Sequence, residues 1–431
     1  MKIAVVALGK IGLPLAVQFA TKGHEVIGCD VNQATVDLIN RGLEPFPGET
    51  DLAKKLSKVV ASGSLTATTD TTSAVAQADA VVIVVPLFVD EAGVPDFGWM
   101  DAATEAVALG LKPGTLVSYE TTLPVGTTRN RFTPKLEGLS GMVAGKDFFV
   151  VFSPERVFTG RVFADLRKYP KLIGGIDAAS AAEGIAFYEA VLDFDSRPDL
   201  TRANGVWDLG SAEASEMAKL AETTYRDVNI GLANQFALFA ESAGIDVQQV
   251  IAASNSQPFS HIHQPGIAVG GHCIPIYPRF YLWNDPTATV VRAAREANAL
   301  MPLHAVDLLS DELSSLSGKR VAVLGASYRG GVKETAFSGV FPVVKALIDR
   351  GATVYVHDPM YTDVELSGLG FTPFHLGEEV DGVIVQADHV QYRTLSTHDL
   401  PGVSAIVDGR RILDPHSFPG VSFRVIGAAR K

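Results

Sequence analysis

Lys2-Ile3-Ala4-Val5-Val6-Ala7-Leu8-Gly9-Lys10-Ile11-Gly12-Leu13-Pro14-Leu15-Ala16, followed by Glu25-Val26-Ile27-Gly28-Cys29-Asp30, is the stretch that decides the fold. Lys2 to Ala7 is an apolar run of strand length, Leu8 to Pro14 a turn punctuated by glycine, and from Leu15 apolar residues recur at helical spacing. A second strand follows at once. Strand, glycine turn, helix and strand in immediate succession are a βαβ unit. Gly9 and Gly12 would let a pyrophosphate meet a helix N-terminus, and Asp30, about 20 residues on, is placed to bind ribose hydroxyls. Gly9, Lys10, Ile11, Gly12 and Asp30 are therefore candidate cofactor contacts. The carboxylate of Asp30 would repel a 2′-phosphate, which favours NAD over NADP. Ala7 stands where the fingerprint has its first glycine.

Working outward, further strands are expected at Ala80–Val85, Leu116–Tyr119 and Phe148–Val151, with Pro86 and Pro124 following two of them. Alternation of this kind implies a parallel, doubly wound sheet with ligands at the carboxyl ends of its strands, which makes Thr121, Thr122, Ser153 and Glu155 candidates for the cleft. From about Ser211 the texture changes to a long helical run through Glu241, on which Lys219 and Thr223 share a face. A second helix is expected from Ala288 to Leu316. At Lys319 the N-terminal logic repeats: a strand, a small-residue turn Gly325-Ala326-Ser327, a helix, and a strand Thr353–His357 ending in Asp358. The fold class is α/β, two Rossmann-like doubly wound parallel-sheet domains (1–200 and 317–431) joined by an all-helical central domain (201–316).

The chain has 431 residues, more than one hydrophobic core usually supports, and a formal charge of −12, which argues against a nucleic-acid partner. Neither a signal peptide nor an apolar run long enough for a bilayer is legible, and two cysteines fit a reducing cytoplasm, so a soluble cytoplasmic enzyme is expected. Cys29 lies within an apolar strand. Cys273 follows Gly270-Gly271-His272 after a Pro/Gly-rich segment, Gln264-Pro265-Gly266-Ile267-Ala268-Val269, where the thiol would stand on a bend and glycine would let backbone approach a ligand. His261, His263 and His272 lie on the same loop without the partners of a metal site, and no metal is expected.

These motifs together resemble the UDP-glucose/GDP-mannose dehydrogenase family over essentially the whole chain: Gly9-Lys10-Ile11-Gly12-Leu13-Pro14, Thr121-Thr122-Leu123-Pro124-Val125-Gly126-Thr127, Ser153-Pro154-Glu155-Arg156, Lys219, Gly270-Gly271-His272-Cys273-Ile274-Pro275 and Gly325-Ala326-Ser327-Tyr328-Arg329. Arg226-Asp227-Val228-Asn229-Ile230 resembles the branch that oxidises UDP-N-acetylhexosamines such as UDP-N-acetylmannosamine. The resemblance implies oxidation of a sugar C6 alcohol to the uronate by two NAD, through a cysteine thiohemiacetal and thioester, in polysaccharide biosynthesis. It makes Cys273 the nucleophile, Lys219 the cation for the alkoxide and oxyanion, Glu155 and Thr122 the groups that activate and position water, and Thr223 a further catalytic hydroxyl. Pro86, Thr121 and Lys333 are assigned to the cofactor. Arg156 and Val157 (through main-chain groups), Gly266, Gly270 and Arg329 are assigned to the nucleotide sugar. A homodimer through the central helices is implied.

The chain departs from the family at several places. Thr223 replaces an asparagine, Thr159 a second carboxylate, and Tyr277 the Asp usually found four residues after the cysteine. An arginine that some members send across the dimer has no match near Gln257-Pro258-Phe259. Two other readings stand beside this one: a two-electron dehydrogenase of the hydroxyacid type, with no need of a thiol, and a protein that binds NAD and nucleotide sugar without turnover.

Overall fold

The computed structural model describes residues 1–90 and 92–429. They form two compact units, 1–222 and 223–431, with the boundary inside the long helix Ala212–Ala243.

In the first unit, strands β1 (Lys2–Val6), β2 (Glu25–Cys29), β3 (Leu65–Thr68) and β4 (Ala80–Ile83) are followed by a two-stranded hairpin, β5 (Phe88–Val89) and β6 (Pro95–Asp96). Then come β7 (Leu116–Tyr119), β8 (Phe149–Phe152), β9 (Lys171–Gly175) and β10 (Val206–Asp208). All but the hairpin make one sheet in the order β10-β9-β8-β7-β4-β1-β2-β3. Ile3, Ala4 and Val5 are fully buried, as a central parallel strand covered on both faces requires. The order reverses between β1 and β4, which opens a crevice at the carboxyl ends of the strands. One pairing corrects the expected all-parallel sheet: β9 runs antiparallel to β8, Val151 opposite Gly175 and Phe152 opposite Gly174. Continuing that register brings Lys171, the first residue of β9, opposite Glu155. The reversed strand delivers a lysine to the ligand edge of the sheet.

In the second unit, β11 (Arg320–Leu324), β12 (Thr353–His357), β13 (Gly382–Val385), β14 (Ala405–Asp408) and β15 (Ser422–Val425) form an all-parallel sheet in the order β12-β11-β13-β14-β15. Leu309 and Leu313, on the helix Thr289–Leu313, lie so close over the sheet that a Cβ at Gly382 would come within 3.1 Å of both. That helix stops earlier than expected because Ser314 turns left-handed at φ 61°. The small-residue turn after β11 does not lead straight into a helix either. Gly325 (φ 111°) and Gly331 (φ 71°) bend the chain, and the next helix starts at Val340. Arg329 and Lys333 therefore sit on a loop.

Candidate functional site

The turn expected to hold the cofactor follows β1. Ala7 adopts φ 74°, the conformation for which glycine is usual, at a cost of about 1–2 kcal/mol for an L-residue. Its carbonyl oxygen then lies 1.9 Å from where a Cβ on Gly12 would be, so Gly12 must be glycine. A Cβ on Gly9 would meet nothing within 4 Å, and the helix Gly12–Thr21 has no side-chain cap; Leu13 N donates to Gly9 O (3.1 Å) and Pro14 has no N–H, so the Gly12 N–H at the helix start is the one that could meet an anion. Asp30 accepts from Leu8 N (2.9 Å) and Asn32 N (2.9 Å), fixing its carboxylate at the end of β2. Lys10 and Pro86 are exposed beside this turn and at the end of β4, Ile11 is half-buried, and Thr121 Oγ1 donates to Val85 O (2.6 Å). An open turn, an uncapped helix and a placed acid fit NAD. In the second unit the corresponding acid has another use. Asp358 is buried and accepts from Ala326 N, Ser327 N and His389 Nε2, so it braces the turn.

Lys219 is not a solvated surface lysine. It is 8% exposed and donates from Nζ to the carbonyl of Glu155 (2.7 Å). Three residues earlier on the helix, the fully buried Glu216 accepts from Gly126 N (2.5 Å), Thr128 N (2.9 Å) and Thr128 Oγ1 (2.7 Å). It ties the loop carrying Thr121 and the buried Thr122 to the helix carrying Lys219. Burial pushes the Glu216 carboxyl up to about 7 against these hydrogen bonds. Thr223, one turn beyond Lys219, is 3% exposed. Arg156 donates from Nε to Glu222 (3.0 Å), and Val157 packs on the core of the first unit.

The carboxylate of Glu155 turns inward, away from the main-chain carbonyl held by Lys219. It meets Lys171 Nζ, which also donates to Glu120 (2.9 Å), and Tyr188 OH donates to the other oxygen of Glu120 (2.6 Å). Burial, assisted by the neighbouring Glu155, pushes Glu120 up to about 8 although Lys171 pulls it back. Burial would lower Lys171, but the two carboxylates outweigh it and hold the ammonium above its ordinary value. Glu120, Lys171, Tyr188 and Glu216 were not legible as site residues. Only Glu216 left a trace, its place on the Lys219 face of the helix.

In the second unit, Cys273 is exposed on a bend just before the helix Tyr277–Asn284, and its carbonyl accepts from Ile276 N (3.3 Å) and Tyr277 N (2.9 Å). Cys29 is buried, and burial pushes its thiol up to about 12. The glycines before Cys273 permit a close approach, but to protein. A Cβ on Gly270 would lie 2.5 Å from Tyr328 Cβ, and Gly271 (φ 89°) donates to Ala336 O (2.8 Å). The buried Gly266 donates to Asn234 Oδ1 (3.0 Å), and Arg295 links Asp227 (2.7 Å) to Ile274 O (3.4 Å). The cysteine loop is thus strapped to two helices. His272 lies 3.6 Å from Glu334. Arg329 is exposed and donates to Tyr328 OH (3.1 Å), while Lys333 pairs with Glu365 (2.5 Å) over the Tyr361 ring. Tyr277, in place of the usual Asp, packs its ring 5.8 Å from Phe280.

Three family models match in order: the NAD binding domain of the UDP-glucose/GDP-mannose dehydrogenase family over residues 1–192, its central domain over 213–299 and its UDP binding domain over 322–415. The chain belongs to the UDP-glucose/GDP-mannose dehydrogenase family. It is an NAD-dependent oxidoreductase, and the first matched domain contains the turn described above. A UDP-N-acetyl-D-mannosamine dehydrogenase of Pyrococcus horikoshii is 34% identical over 438 residues, 99% of each chain. An NDP-N-acetyl-D-galactosaminuronic acid dehydrogenase of Ralstonia nicotianae is 32% identical over 95% of each. The solved structure of the Pyrococcus UDP-D-ManNAc dehydrogenase superimposes with a TM-score of 0.88 at 32% identity, covering 99% of both chains. A UDP-glucose dehydrogenase of Pyrobaculum islandicum gives 0.86 at 27%, covering 99% and 98%. Relatives named for different sugars agree almost equally well with this family member, so the overall fold does not select the sugar. Among the described residues, no helix is long and apolar enough to cross a membrane.

Proposed function

We propose that this dehydrogenase oxidises the C6 primary alcohol of a UDP-sugar to the uronate, and that the sugar is an N-acetylhexosamine such as N-acetylmannosamine. The observation that carries the sugar class is the 34% identity, over 99% of both chains, to an enzyme named for UDP-N-acetyl-D-mannosamine. NAD, when bound, supplies the hydride acceptor for each of the two oxidations. Gly9, Lys10, Ile11, Gly12 and Asp30 hold it, with Pro86, Thr121 and Lys333 at its margins.

The ammonium of Lys219 stabilises the alkoxide of the substrate alcohol and, later, the oxyanions formed on the same carbon. The Cys273 thiol adds to the aldehyde: the S–C bond forms, the thiol proton leaves, and the carbonyl oxygen becomes the hydroxyl of a thiohemiacetal. Loss of the second hydride from that carbon, together with the hydroxyl proton, gives a thioester. Water, positioned by Thr122 and deprotonated by Glu155, adds to the acyl carbon and expels the thiolate, leaving the carboxylate. Tyr277 lacks the acid of the replaced Asp, so hydrolysis relies on Glu155, Lys219 and Thr122, with Thr223 adding a hydroxyl beside them. The main-chain groups of Arg156 and Val157, the glycines at 266 and 270, and Arg329 receive the nucleotide sugar.

The reading includes three functional segments, 1–200, 201–316 and 317–431, and a homodimer through the central helices. Tyr225, Leu232, Phe236 and Phe239 leave an exposed apolar row on the long helix, with Val290, Leu300 and Leu303 exposed on the helix Thr289–Leu313. The test is stoichiometric. With UDP-N-acetylmannosamine in a panel of UDP- and GDP-sugars, two NADH appear per sugar consumed, and Cys273→Ala abolishes formation of the acid. One NADH per sugar, or full turnover by Cys273→Ala, overturns the proposal.

A further inference from the structure

Glu120, Glu155, Lys171 and Tyr188 come from four different elements: the end of β7, the turn after β8, the start of β9 and the helix Ala178–Val191. The Glu120 side chain is fully buried, Lys171 is 4% exposed and Glu155 10%, so Glu155 is the outer member. Lys171 Nζ contacts both carboxylates, and the Tyr188 hydroxyl bridges Glu120 (2.6 Å) and Ser118 Oγ (2.6 Å). Of the other charged groups nearby, Lys219 engages the main chain of Glu155, Arg156 turns to Glu222, and Asp165 is paired with Arg161. Among the described residues, the Lys171 ammonium is the one seen in contact with both buried carboxyl groups. With both ionised, the cluster would carry one uncompensated negative charge out of water, a state that proteins avoid by retaining a proton.

We propose that Glu120 and Glu155 act as a carboxyl pair holding one proton between them, with Glu120 and Lys171 as positioning residues for Glu155. In the resting arrangement the proton lies on Glu120, the fully buried member, and Glu155, the less buried of the two, is ionised and serves as the base. A single negative charge then balances Lys171. Burial of Glu120 favours its neutral form, in line with this assignment. When Glu155 takes a proton from water, the O–H bond of water breaks and a carboxyl O–H forms. Lys171 stays an ammonium, the pair briefly carries two protons, and release of one from Glu155 to solvent water restores the resting state. The inference rests on the base role proposed for Glu155, but the pair itself can be tested without turnover.

The experiment is infrared difference spectroscopy of the full chain, without substrate, between about pH 6 and about pH 10, a range that brackets the Glu120 titration near 8. The wild type is expected to show a carboxylic-acid carbonyl band that disappears across that range, and Glu120→Gln to lack it. In steady-state assays Glu120→Gln is expected to lower kcat about tenfold, with KM for the sugar nucleotide unchanged, a fraction of the contribution of a full general base. The same variant should lose an alkaline ionisation present in the wild-type kcat profile. Lys171→Arg, which keeps the charge, should retain the band. Absence of the band in the wild type, or its survival in Glu120→Gln, overturns the pair; the wild-type titration stands even if a variant fails to fold. Normal band behaviour together with full activity of Glu155→Gln would refute the base role alone.

Discussion

Replacing Glu216 by Gln isolates a single proton in the support of the site. An ordinary glutamate titrates near 4.5, and burial pushes this one up to about 7. Between those values the folded chain keeps a proton that the unfolded chain has released. The stabilisation from Glu216 is therefore complete below about 4.5 and is lost as pH rises through about 7. At about 1.4 kcal/mol per pH unit, the window accounts for roughly 3 kcal/mol. Gln has no such proton. The stability advantage of wild type over Glu216→Gln should shrink by about that amount from pH 4.5 to above pH 7. Superimposed on it is a loss of about 1–2 kcal/mol, nearly independent of pH, because an amide replaces an acceptor that served Gly126 N, Thr128 N and Thr128 Oγ1. A chain of two compact units need not unfold in one step, so the assay should be local: hydrogen exchange of peptides spanning 121–132, corrected for intrinsic rates. A difference that stays flat or grows with pH would refute the reasoning.

Iodoacetamide on the native protein should label Cys273 and spare Cys29, whose thiol is buried and pushed up to about 12; an adduct on Cys29 in intact-mass and peptide analysis would contradict that environment. Gly12→Ala sets a methyl 1.9 Å from the Ala7 carbonyl oxygen, which no side-chain rotation relieves. It should weaken NADH binding at least tenfold by fluorescence titration and cost about 1–3 kcal/mol of stability, and unchanged affinity would show that the turn does not hold the cofactor. Lys219→Met keeps the length of the side chain but removes the donor to Glu155 O, so kcat should fall by about 10²-fold or more, and a variant with near-normal kcat would remove Lys219 from the chemistry.

Local order was the legible part of this protein. The β1 turn, the acid at the end of β2, the long helix and the bend at Cys273 each follow from residues adjacent in the chain. Even the departure at Ala7 was visible, and the backbone there still adopts a positive φ, with its carbonyl oxygen lying against Gly12 where a Cβ would otherwise be. Strand endings and helix stops were less legible. Ser314 ends a helix in a left-handed conformation that its residue type does not announce.

What only the tertiary structure decided is the company these residues keep. Lys219 became a buried donor because a carbonyl from a distant turn meets it, and Gly270 owes its lack of a side chain to Tyr328. Lys171 shows the reason most plainly. A lysine opening an apolar strand has no periodicity that points to Glu120 or Glu155. It reaches them because β9 pairs antiparallel with β8, and register between strands is fixed by which faces the whole sheet must bury, a property that no single segment carries.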